Sequence, residues 1–118
     1  MIILGIDLVP KPSPVSWSPE ARQLFETLAT EIGSRPDVRV GLQLKRPVVF
    51  HHRKIAVVGH RDGIAVALDG PARDAALRAP GAHTLGRHDG RVVRHMIALP
   101  WSAHESWRQV MTAAVTPG

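Results

Sequence analysis

The chain has 118 residues, with 15 Lys and Arg against 10 Asp and Glu, a formal net charge of +5, and no cysteine. A single domain of that length buries roughly 65% of its unfolded surface, enough for a core without metal or disulfide staples. The missing thiols exclude zinc-finger, iron–sulfur and thiol-nucleophile chemistry and fit a reducing compartment. Twelve of the 15 cations are arginine, which favours phosphate or carboxylate partners. No run approaches the ~20 apolar residues of a membrane span. Met1-Ile2-Ile3-Leu4 also lacks the charged start of a secretory signal. The expected location is the cytoplasm, with no membrane partner.

Four prolines (Pro10, Pro12, Pro14 and Pro19) fall between residues 10 and 19, so residues 1–17 read as an extended N-terminal arm ahead of one domain over 18–118. Ser18 is placed as a helix N-cap and Pro19 as the first helical residue, with Glu20 in the first turn. Ala21, Leu24, Phe25, Leu28 and Ile32 recur at helical spacing, and Gly33 with Pro36 supplies the stop.

From Val38 to Asp69 the pattern has period two, and three strands fit: 38–44, 47–60 with a kink or turn at His51-His52-Arg53-Lys54, and 64–69. Arg61-Asp62-Gly63 joins the last two as a hairpin. Pro71 opens a short helix over 71–79, whose small face of Ala72, Ala75, Ala76 and Ala79 suits close packing on a sheet. Residues 83–99 read as a second hairpin around Arg87-His88-Asp89-Gly90, with Val93, Ile97 and Leu99 alternating in its return strand. Ser102 and Glu105 are spaced as a capping box for a last helix, whose buried stripe is Trp107, Val110, Met111 and Ala114. Trp101 is placed as a hydrophobic staple on that helix. The expected fold is a single-domain α+β protein with an antiparallel sheet in the order α-βββ-α-ββ-α, with Leu24, Phe25, Leu28, Val57, Val66, Ile97, Trp107 and Met111 in one core.

Arg53-Lys54-Ile55-Ala56-Val57-Val58, the Asp62-Gly63 turn, the strand Ile64 to Asp69, the helix from Pro71 and the run from Gly90-Arg91 to Ala98-Leu99-Pro100 resemble the TfoX N-terminal domain and the related MmcQ/YjbR proteins. The resemblance covers about residues 18–116. Arg53 stands where that family has a glycine, Val92 for a proline, His95 for an acidic residue and Met96 for an aromatic one. The resemblance implies a secretion-chaperone-like fold that often pairs into dimers. It also implies a small cytoplasmic, non-enzymatic domain, associated with competence regulation in TfoX and proposed to bind DNA in YjbR-like members. It supplies no catalytic residues.

Seven histidines (His51, His52, His60, His83, His88, His95 and His104) lack the spacing of a zinc motif, so no metal site and no cofactor are expected. No GxSxG, phosphate loop or dinucleotide fingerprint is present, which argues against an enzyme. The charge map is more informative. Between Val38 and Arg61 stand Arg39, Lys45, Arg46, Arg53, Lys54 and Arg61 with no acid. Arg87, Arg91 and Arg94 extend the candidate nucleic-acid-binding set. Only five aromatics are present, so base stacking is not expected. The reading is a small binding or regulatory module that contacts nucleic acid, or a protein partner, through a basic face. The alternative is a small metal- or His-dependent enzyme. An apolar leader, Ile2 to Val9, suggests an added strand on its own sheet or a neighbour's, hence a homodimer.

Overall fold

The computed structural model describes residues 15–43, 46–85, 87–88, 91–92 and 96–116, with the backbone alone at 43, 46, 87, 88, 91 and 92. Helix α1 (Pro19–Gly33) begins where its cap predicts: the Ala21 amide donates to Ser18 Oγ over 3.1 Å. Strands β1 (Val38–Gln43), β2 (Arg46–His51), β3 (Lys54–His60) and β4 (Gly63–Ala67) follow as a meander. Then come α2 (Gly70–Ala76), the short strands β5 (His83–Thr84), β6 (Arg87–His88) and β7 (Arg91–Val92), β8 (Met96–Leu99), a 3₁₀ turn over Trp101–Ser106 and α3 (Trp107–Ala114). The fold is α+β, with one antiparallel six-stranded sheet in the order β1-β2-β3-β4-β8-β5 and a separate β6–β7 ribbon.

The register explains the core. Val49, Val57, Val66 and Ile97 stand opposite one another across β2, β3, β4 and β8, and all four are fully buried with Phe25, Leu28, Trp107 and Met111 of the helices. Leu24 is only half-buried and packs at the margin of this cluster. One buried side-chain polar atom stays unpaired among the described residues, the Trp107 indole Nε1. On the reverse face Val48, Val58, Ala65 and Ala98 form the matching row. Between the Val49–Val57 and Phe50–Ile55 pairs, Ala56 is an extra residue in β3, a bulge that keeps its methyl in the core.

The residues 47–60 form two strands rather than one. His51 pairs with Lys54, and the intervening His52 (φ 52°) and Arg53 (φ 71°) are both left-handed, as a two-residue primed hairpin turn requires. The capping box at Ser102 and Glu105 is not formed. Pro100 precedes the 3₁₀ turn instead, and the Ser102 hydroxyl donates to the Pro80 carbonyl over 3.2 Å. Trp101 does pack on its own helical segment, stacked on His104 at 4.2 Å and edge-on to Trp107 at 5.6 Å. Helix α2 ends at Ala76, three residues early, with Ala76 buried and Ala75 exposed. Its small face meets α3 as well as the sheet: Ala72 and Ala76 share a crevice with Val110 and Ala113.

Of the N-terminal arm, only residues 15–17 are described. Trp17 Nε1 donates to the Gly63 carbonyl and the Ser16 amide to the Arg61 carbonyl, both at 2.8 Å. The leader Ile2 to Val9, the Asp89-Gly90 turn and Val93 lie outside the described residues.

Candidate functional site

The β2–β3 turn and the entry to β1 meet at one end of the sheet because β1 and β2 pair along their whole length, with Val38 opposite His51 and Arg39 opposite Phe50. The His52 amide donates to the Asp37 carbonyl over 3.3 Å, which ties the turn to the loop before β1. His51 Nε2 lies 2.9 Å and His52 Nε2 3.8 Å from Asp37 Oδ2. The two imidazoles lie against each other, with ring centroids 4.2 Å apart. The His51 hydrogen bond, aided by the charges of His51 and Arg35, holds the Asp37 carboxyl below the usual carboxylate range.

Around this cluster is an open hollow of about 280 Å³, lined by Asp37, Arg39, Phe50, His52 and Arg53 together with Pro36 and Val38. Arg39 is held there by its guanidinium, 5.1 Å above the Phe50 ring. Lys54, exposed, follows Arg53 directly at the start of β3. Among the described residues, no hydroxyl or thiol side chain lines the hollow.

The predicted basic set is therefore divided. Arg39, Arg53 and Lys54 gather at this end. Arg61 lies beyond the far end of β3, about 20 Å away at the ordinary rise of a strand. Arg46 opens β2 at that same far end, opposite Gln43. Arg87 and Arg91 lie on the β6–β7 ribbon, where only the backbone is described. Lys45 and Arg94 lie outside the described residues.

Two members of the cluster, Asp37 and Arg35, escaped the sequence reading, and so did the pairing of Asp37 with His51. Asp37 and His51 are 14 residues apart, so only the β1–β2 register brings them together. Arg35 precedes the basic stretch by sequence but acts on the same carboxylate. The one available signal was the hairpin itself: a turn at 51–54 returns the chain beside whatever precedes β1.

A second concavity, about 720 Å³, lies between α1 and the outer strands β1 and β2, walled by Trp17, Phe25, Ala29, Val40, Leu42 and Pro47. Among the described residues, Val40 and Leu42 are the large apolar side chains left exposed, Leu42 by 73%. No helix among the described residues is long and apolar enough to cross a membrane. No protein-family model, curated protein or solved structure matches the chain.

Proposed function

We propose that this chain is a non-enzymatic binding module that contacts the phosphate backbone of nucleic acid through the end of the sheet formed by the β2–β3 turn. The observation that carries the reading is an open hollow lined by Arg39 and Arg53, with Lys54 next in the chain, in which Asp37, the one carboxylate among its described lining residues, is already engaged by His51. Arginines at such an edge neutralise phosphates and release counterions, which gives affinity without base recognition. The scarcity of exposed aromatics supports a backbone contact over base stacking: Phe25 and Trp107 are in the core, and Phe50 is covered by Arg39. Among the described residues the hollow offers no hydroxyl or thiol nucleophile, which supports a binding role over a covalent-catalytic one.

The resemblance to the TfoX N-terminal domain and YjbR proteins points the same way, to a cytoplasmic regulatory module. Pairing of two copies has support in the outer edge of β1, where Val40 and Leu42 are exposed and no described strand pairs.

The test is fluorescence anisotropy with a labelled duplex at low salt. The double reversal Arg39→Glu/Arg53→Glu should weaken binding at least about tenfold while leaving the thermal midpoint nearly unchanged, since exposed charges contribute little to folding. Unchanged affinity in that variant would overturn the proposal.

A further inference from the structure

We propose that Asp37, His51 and His52 form a binding site for a divalent first-row transition-metal ion. One carboxylate oxygen and two imidazole nitrogens, one per residue, all lie within 4.8 Å of one another. A tetrahedral site with bonds of about 2.0–2.1 Å separates its donors by roughly 3.3 Å. The Asp37–His51 and Asp37–His52 separations, 2.9 and 3.8 Å, bracket that value. The remaining adjustment falls on His52, whose side chain is 67% exposed and has room to rotate inward. His51, only 14% exposed and hydrogen-bonded to Asp37, supplies the fixed donor.

The backbone prepares this geometry. The left-handed turn residues lay the His52 ring alongside that of His51, and the hydrogen bond that the His52 amide donates to the Asp37 carbonyl fixes the turn against the third donor. Mixed imidazole and carboxylate donors suit zinc, cobalt, nickel or copper rather than calcium or magnesium, which prefer oxygen alone. Three protein donors leave a coordination position open. Arg39 and Arg53 line the hollow beside it, so its fourth ligand is an anion: hydroxide, chloride or phosphate. That anion offsets the repulsion between a dication and the neighbouring guanidiniums. The site stands independently of nucleic-acid contact, which depends on the arginines and lysine.

The experiment is titration of the untagged full chain with Co²⁺, read by its visible d–d absorption and by calorimetry, then competition with Zn²⁺. One ion per chain is expected at this site. His52→Asn keeps a residue that tolerates the left-handed turn, and should lower affinity at least about tenfold. His51→Gln should do the same, and His104→Gln, remote from the cluster, should not. Absence of Co²⁺ binding by the unmodified chain, or binding unaltered by His52→Asn, would overturn the proposal.

Discussion

The indole nitrogen of Trp17 donates to the carbonyl of Gly63 across 46 residues, at 2.8 Å, and fastens the segment before α1 over the β3–β4 turn. The same ring lies 4.9 Å from Phe25, so one side chain links the arm, the turn and the first helix. Trp17→Phe keeps the packing and removes the donor. It should lower stability by about 1 kcal/mol, the usual net contribution of one such bond, measured by urea denaturation. A loss below a few tenths of a kcal/mol would mean that water replaces the indole without cost.

Glycine is required at Gly63 for a different reason. A Cβ there would collide with the Leu99 carbonyl oxygen and come within 2.6 Å of Pro100 Cα, both backbone atoms that cannot rotate away. A Cβ on Gly59 would come within 2.9–3.0 Å of Val15 Cγ2 and Trp17 Cζ2, side-chain atoms able to yield. Gly63→Ala should therefore lower the urea midpoint clearly more than Gly59→Ala, because it forces β4 and β8 apart. Equal midpoints would contradict this order.

The turn at His52 and Arg53 places two side chains in a left-handed conformation that favours Asn and Gly. The double substitution His52→Asn/Arg53→Gly should raise stability by about 1 kcal/mol. It should also weaken duplex binding, because Arg53 is lost from the hollow. A variant that gains stability at no loss of binding would separate the turn from the function proposed for it.

This turn also marks where sequence reasoning stops. The cap of α1 and the core row of Val57, Val66 and Ile97 were legible because caps and periodicity are local signals. The division of 47–60 into β2 and β3 was marked only as a kink or turn, since neither His52 nor Arg53 is a usual residue for a primed turn. Ser102 and Glu105 match a capping box by spacing, yet Pro100 starts the 3₁₀ turn earlier and Pro80 takes the serine hydroxyl. Asp37 joins His51 only through strand register, which no spacing rule reports.

Helices α1 and α3 are joined at the surface by Arg108, whose Nε and Nη2 donate to Glu31 Oε1 and Oε2 at 3.1 and 2.8 Å. That paired hydrogen bond lowers the Glu31 carboxyl from its ordinary value of 4.5 and raises Arg108. A carboxyl lowered in the folded state stabilises above its unfolded pKa and loses that contribution as pH falls through the folded value. The thermal midpoint of Arg108→Gln should lie slightly below that of the unmodified chain at about pH 7, and the difference should shrink as the pH is taken below 4.5 and through the lowered carboxyl. A difference that persists in acid would assign the effect to packing of the arginine stem.

Contact of Arg39, Arg53 and Lys54 with phosphates is tested by the salt dependence of duplex DNA affinity. Three phosphate contacts, from Arg39, Arg53 and Lys54, give a slope of log K against log salt of about −2.7, or roughly a fortyfold loss between about 50 and 200 mM. The slope should be the same for unrelated duplex sequences. No binding at the lower salt, or binding with a slope near zero, would contradict a phosphate-contacting role for this end of the sheet.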